Sequence, residues 1–225
     1  MRKLKIQRKL KNFNSNVKTK INNEIKRKGR KGFIWEIIFS FLIFCASAVL
    51  IFVLYIIISA PNFEKDKLYK KEATVIYDKN GIEFARVGQE DRELIEYKDL
   101  PQVYIDALIA TEDSRFFQHN GLDIARFLKA SVGQLVSSKA GGASTITMQL
   151  VKKTYTNGAS EGIAGIVRKF TDIYMAVFKI ESSYTKEEIL EFYSNSLWYA
   201  NGRSINTTGI YGIEQASQHF FGKSV

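Results

Sequence analysis

The longest feature of the hydrophobic pattern is a run of twenty-four residues without a charge, Ile37 to Ala60. As a helix it would extend about 36 Å, enough to cross a hydrocarbon core with some tilt. A buried core helix is rarely so long and so apolar on every side. A cleaved signal peptide would have a shorter apolar core and a small-residue cleavage site, for which Ser59-Ala60-Pro61 is a poor match. The pattern therefore predicts one uncleaved transmembrane helix over 34–60. Residues 61–72 are polar and read as a linker or a helical extension. From Ala73 to Val87, β-branched and aromatic residues flank Asn80-Gly81, which predicts a β-hairpin. Helical spacing follows. One helix is expected from Asp99-Leu100-Pro101, with Asp99 as N-cap, through Val103, Ile105, Leu108 and Ile109 to Thr111. Another runs from Ile124 to Ser137 behind an Asp123 cap. Its stripe of Ile124, Phe127, Leu128, Ser131, Val132 and Leu135 is expected to be core and in part membrane-facing. Ser144-Thr145 opens a further helix after the Gly141-Gly142 turn, and Thr185 with Glu188 forms a capping box for a later one.

Charge sharpens this layout. The formal net charge is +10, but residues 1–33 hold thirteen Lys/Arg and one acid, leaving −2 for everything after them. The basicity belongs to a tail, which beside a membrane span reads as a contact with anionic lipid, and a nucleic-acid role is set aside. The same charges place the N-terminus in the cytoplasm and residues 61–225 outside. Cys45, the one cysteine, lies in the span, so the outer segment has no disulfide framework and no thiolate metal site.

The candidate chemistry sits in two stretches. Residues 110–121 place Glu112-Asp113, Phe116, Phe117, His119 and Gly121 at the end of an apolar helix. There the dipole disfavours a carboxylate, and apolar surroundings with a neighbouring acid would raise its pKa, as acid/base work requires. Any lone Glu-Asp pair is otherwise a solvated helix end, and His119 alone reads first as a structural histidine. Residues 141–152 join glycines to Ser144, Thr145, Thr147, Gln149 and Lys152 at a helix start, an arrangement able to cradle an anion. Simple N-capping with a solvated lysine is the plainer alternative.

Taken together, these stretches resemble the signature motifs of the peptidoglycan glycosyltransferases (family 51 transglycosylases), either monofunctional or as the N-terminal part of class A penicillin-binding proteins. Glu112, Asp113, Phe116, His119 and Gly121 fit Glu-Asp-x-x-Phe-x-x-His-x-Gly at each defining position. Residues 142–153 resemble the second motif, with Met148 in place of its first glutamine and Lys153 in place of its asparagine. Arg168-Lys169-Phe170-Thr171-Asp172 resembles Arg-Lys-x-x-Glu, with aspartate for glutamate, and Ala164 stands where the family often has arginine. Lys186 to Asn195 resembles the fourth motif, Ser194 replacing leucine, and residues 209–223 the fifth. Residues 198–208 look longer and more polar than the family's usual connection.

The resemblance implies a mainly α, lysozyme-like domain over 73–225, with a short N-terminal β-hairpin, after a tail (1–33), a membrane helix (34–60) and a linker (61–72). It implies that Glu112 is the general base and Asp172 the second carboxylate, near the donor pyrophosphate or a divalent cation (Mg or Mn) bound to it. Substrate contacts implied in the same way are Asp113, Phe116, His119, Ser144, Thr145, Gln149, Lys152, Arg168, Lys169, Lys186, Glu191 and Asn195, the last two as buttresses through hydrogen bonds. The substrates would be lipid II and nascent glycan, joined into β-1,4 strands with inversion and loss of undecaprenyl pyrophosphate, at a bacterial cell membrane. Membrane lipid and cell-wall synthesis or division proteins are the implied partners. Two other readings stay open: a non-catalytic lipid II-binding scaffold, and a lysozyme-like glycan hydrolase. Family domains continue for several helices past the Phe-Gly-Lys element, so the resemblance also implies a domain cut short at its C-terminal end.

Overall fold

The structure is a computed structural model that describes residues 2–69, 74–87, 90–136, 142–156, 158, 161–201 and 209–225. Ala73, Ser137, Gly141 and most of the 198–208 connection lie outside the described residues. The chain divides into two units, residues 1–55 and Ile56–Val225. The first holds most of α1 (Arg2–Ser59), interrupted at Gly29, whose φ of 69° and ψ of 159° are not helical. From Lys26 to Ser59 this helix is long and apolar enough to cross a membrane, and its large side chains, such as Trp35, Phe44 and Ile51, are exposed. A helix apolar all round and buried in nothing is what a lipid environment accommodates.

The second unit is mostly helical. β1 (Thr74–Tyr77) and β2 (Glu83–Val87) pair antiparallel as the expected hairpin. Asp78 accepts from the N–H groups of Asn80 and Ile82, and Gly81 takes the positive φ that the turn needs. A second sheet has the order β3-β5-β4, built from β3 (Asp91–Arg92), β4 (Trp198–Ala200) and β5 (Ile210–Tyr211). The helices are α2 (Gln102–Glu112), α3 (Ile124–Val136), α4 (Ile146–Val151), α5 (Gly162–Met175), α6 (Lys186–Ser196) and α7 (Ile213–Phe221).

Helix α4 is the centre. It is short, and five of its six residues are buried: Ile146, Thr147, Met148, Leu150 and Val151. α5 and α6 pack on it, and Phe116, Met175, Ile180, Ile189, Leu190 and Tyr193 complete a core in which each is at most 2% exposed. A helix whose one partly exposed residue is Gln149 has to be surrounded on nearly every side, so the rest is arranged around α4. It ends in a single wide π-turn, Lys152–Thr156, that returns the chain to solvent. Gly121 packs so closely on the backbone of Ala176 that a Cβ would lie 3.0 Å from its carbonyl carbon, and its φ is +82°. Both facts require glycine there.

Two expectations are corrected. Asp99 does not cap α2: it lies in a 3-10 turn, Tyr97–Asp99, and Pro101 occupies the N-cap position with no side-chain bond. The α3 stripe, expected to be core and in part membrane-facing, is core over a smaller part than expected. Phe127, Ala130 and Ser131 turn inward, whereas Ile124, Leu128 and Val132, spaced by four, form an exposed row. The apolar set is simply wider than the surface α3 buries.

Asp123 does cap α3, accepting from the Arg126 N–H at 2.9 Å and pairing with Arg115. Burial pushes its carboxyl up, but the Arg126 N–H and the Arg115 guanidinium outweigh this and hold it below the ordinary value. A depressed folded pKa contributes stability above the unfolded value that is lost as pH falls through the folded one. Thermal melts between about pH 5 and pH 3 should therefore decline less steeply for Asp123→Asn than for the parent. Equal slopes would show that this carboxylate does not carry the effect.

Candidate active site

Glu112 is the last residue of α2, and Asp113 breaks the helix with φ −155° and ψ 73°. The break sends the two carboxylates apart. Asp113 has no exposed surface: its Oδ2 accepts from the Ile146 N–H at 3.1 Å and lies 3.1 Å from His119 Nε2, while Arg126 stands 3.9 Å from Oδ1. Glu112 faces a cleft instead. Its Oε2 accepts from Gln149 Nε2 at 2.8 Å, and Gln149 Oε1 accepts from the Tyr193 hydroxyl at 2.9 Å. One chain of bonds thus joins the ends of α2, α4 and α6. Burial, and then the Glu112 charge, push the Tyr193 phenol far above its ordinary range, so it remains a donor. Glu112 Oε1 has no partner among the described residues.

The cleft encloses about 450 Å³ and is lined by Thr111, Glu112, Arg126, Gly142, Ser144, Gln149, Lys152 and Lys153. One carboxylate faces three cations. Burial and then the Lys152 charge lower the Lys153 pKa. A larger cavity of about 700 Å³ shares Gly142 and Ser144 with the cleft and is walled by Phe127, Ala130, Ser131, Ile166, Arg168, Lys169 and Phe170. Lys169 Nζ donates to Ser144 Oγ at 2.5 Å across the shared wall, and burial lowers its pKa too. A charged slot beside an apolar, cation-edged cavity suits a ligand with a phosphate head and a greasy tail.

The residues expected to touch substrate fall into two groups. Glu112, Ser144, Gln149 and Lys152 line the cleft, and Ser144, Arg168 and Lys169 the neighbouring cavity. The others frame the site without reaching the cleft. Asp113, Phe116 and Thr145 have no exposed surface, and the Thr145 hydroxyl donates to the Gly121 carbonyl and accepts from the Met148 N–H. Thr147 donates to Glu181, which also holds Lys186, whose ammonium lies 4.3 Å from the Phe116 ring centre. His119 leans on Asp113. Glu191 accepts from the Tyr97 N–H, and Asn195 bonds both the N–H and the C=O of Ile95. The expected anion cradle is also reduced, because Asp113 and Thr145 already take the Ile146 and Met148 N–H groups.

Asp172 differs most from expectation. Its side chain is 3% exposed, with Oδ1 accepting from the Thr156 hydroxyl and Oδ2 from Arg168 at 2.8 Å. Burial raises its pKa ahead of the lowering by Thr156, Arg168 and the two lysines. Each of its oxygens already accepts a bond and the side chain is almost wholly buried, and no cluster of three or more His, Cys, Asp or Glu among the described residues is placed to hold a metal. These residues do not fit a protein-held divalent ion. Sequence reasoning missed Arg126, Lys153 and Tyr193. Arg126 sits three residues after the Asp123 cap, the offset at which an N-terminal side chain folds back, and bonds the Gly142 and Glu112 carbonyls. The other two stand inside motifs whose neighbours had been singled out.

The transglycosylase family model matches residues 80–225. The chain belongs to this family. Among similar proteins are penicillin-binding protein 1A/1B of Bacillus subtilis (strain 168), 36% identical over 164 residues, and penicillin-binding protein 1A of Streptococcus pneumoniae (strain ATCC BAA-255 / R6), 33% identical over 171. Penicillin-binding protein 1A of Neisseria meningitidis (strain DSM 15465 / Z2491) is 35% identical over 191 residues. These alignments cover 72%, 76% and 84% of this chain but 17%, 22% and 22% of the relatives, so the chain spans about a fifth of their length. The lysozyme-like, mainly α architecture expected from the motifs agrees with the family and with the helical second unit.

Asn195→Ala leaves the Ile95 N–H and C=O unpaired behind the site. It should cost about 2–4 kcal/mol in urea unfolding of the solubilised chain, one to three for each stranded group less relaxation. A loss under about 0.5 kcal/mol would mean that water replaces the amide.

Proposed function

We propose that this chain is a membrane-anchored peptidoglycan glycosyltransferase that extends β-1,4 glycan from lipid II and releases undecaprenyl pyrophosphate. The observation that carries this reading is the orientation of Glu112: one oxygen held by Gln149, the other open to a cleft whose remaining charges are positive. An acceptor 4-hydroxyl bonded to Oε1 would give up its proton there as its oxygen attacks the anomeric carbon of the donor. The bond from that carbon to the phosphate oxygen breaks with inversion, and the oxygen keeps the electron pair. Lys152, and Arg168 and Lys169 from the adjoining cavity, offset the charge that develops on the departing pyrophosphate. The apolar part of that cavity and the exposed row Ile124, Leu128 and Val132 suit the polyprenyl chain and the lipid surface it comes from.

Anchoring through α1 fits substrates that never leave the bilayer. Thirteen basic residues ahead of the apolar run favour a cytoplasmic N-terminus and an outer second unit. A hydrolase would meet finished glycan, which brings no pyrophosphate for the cationic slot.

Purified, detergent-solubilised protein given labelled lipid II should form glycan chains that resolve by size. Glu112→Gln should slow this by about a hundredfold or more while lipid II still binds. Chains made equally by both would remove Glu112 from the mechanism. Binding without chains from either would make the protein a lipid II-binding scaffold.

A further inference from the structure

The family's implied divalent cation has no open carboxylate at Asp172, yet a pyrophosphate in the cleft would still need its charge offset. The cleft itself holds the means. Lys152 and Lys153 are sequence neighbours, and on a regular α-helix neighbours diverge by about 100°. Here both line one cleft, because α4 gives way to the wide turn Lys152–Thr156 at that point. Arg126 reaches the same cleft from α3, its guanidinium fixed by the Gly142 and Glu112 carbonyls. Lys153 stands where the second motif has asparagine, so it adds a positive charge to that motif.

We propose that Lys153, together with Lys152 and Arg126, binds the donor pyrophosphate directly, so that protein cations neutralise the leaving group without a divalent ion at Asp172. This rests on the reading that the cleft receives a lipid-linked pyrophosphate. Burial and the Lys152 charge lower the Lys153 pKa while the Glu112 carboxylate opposes them, and cations sharing one cleft gain from an anion placed between them. A bound pyrophosphate offsets the repulsion and supplies charged acceptors in place of water. As the glycosidic bond breaks, the departing group gains a further negative charge, which the same three cations meet without reorganisation. Asp172 then serves to hold Arg168 at the edge of the adjoining cavity and to pin Thr156, which closes the wide turn that aims the lysines.

The test uses the solubilised full chain with inorganic pyrophosphate in EDTA, read by titration calorimetry. The parent should bind, Lys153→Asn should bind about tenfold more weakly, and Lys153→Arg should stay within about threefold of the parent. Labelled lipid II should be polymerised by the parent at rates within about twofold in EDTA and in Mg²⁺. Unchanged pyrophosphate affinity in Lys153→Asn would overturn the lysine's role. Turnover abolished by EDTA and restored by Mg²⁺ would overturn independence from the ion. The calorimetry needs no lipid II, so Lys153-dependent binding without glycan product would sink the polymerase reading, and with it the leaving-group role, while leaving Lys153 as part of a pyrophosphate-binding site.

Discussion

Asp113 has no contact with solvent, and a buried carboxylate must be satisfied from inside the protein or be expelled. Three segments supply the partners: the N–H at the start of α4, His119 in the loop after α2, and the more distant Arg126 of α3. Removing one partner from such a charge costs several kcal/mol, so the segments are fixed relative to one another. That constraint turns Glu112 outward, since two adjacent carboxylates cannot both enter the core. It also sets α4 in register, which brings Gln149 to Glu112 and Ser144 to Lys169.

Around this knot the second unit is layered by polarity. Inside it, Thr145 bonds the Gly121 carbonyl, and Glu181 takes both the Thr147 hydroxyl and the Lys186 ammonium. Cations collect on the other side of α4, where the chain leaves the core through a wide turn. Placing Lys152, Lys153 and Arg126 together is unfavourable for the empty protein. Such a cluster persists because the core beneath it is rigid, and the cost is recovered when an anion binds. Lys152 and Lys153 are exposed and Arg126 is half-buried, so solvent screens part of both the cost and the recovery.

The sequence was informative where local rules decide. The apolar run, the Asn80-Gly81 turn, the Asp123 cap and the Thr185–Glu188 box all formed as their spacing required. It was misleading where the outcome depends on which face meets which neighbour. The α3 stripe was expected to be core and in part membrane-facing, but its spacing did not say which residues take which side; Ile124, Leu128 and Val132 are the exposed ones. In the site, a motif shows which residues travel together without telling cleft from frame. Thr145 and Lys186 look as able to bind a ligand as Ser144 and Lys152, and burial alone separates them. Arg126 was illegible for the converse reason, since its part depends on a carbonyl sixteen residues away.

Departures from the family pattern read differently once placed in space. Met148 is 1% exposed in the core, so exchanging an amide for a thioether there strengthens packing and takes nothing from the cleft. Ser194, in place of leucine, is fully buried and accepts from the Tyr104 hydroxyl, so the lost apolar volume is offset by a hydrogen bond. Asp172 and Lys153 are better understood as a pair. Shortening the acid by one methylene withdraws it towards Arg168 and Thr156, and a negative group retires from the neighbourhood of the leaving phosphate. A lysine for asparagine adds a positive one to the same neighbourhood. Under the proposed function, both changes would make the surroundings of a bound pyrophosphate more positive, with Asp172 held by Arg168 and Thr156 and Lys153 lining the cleft.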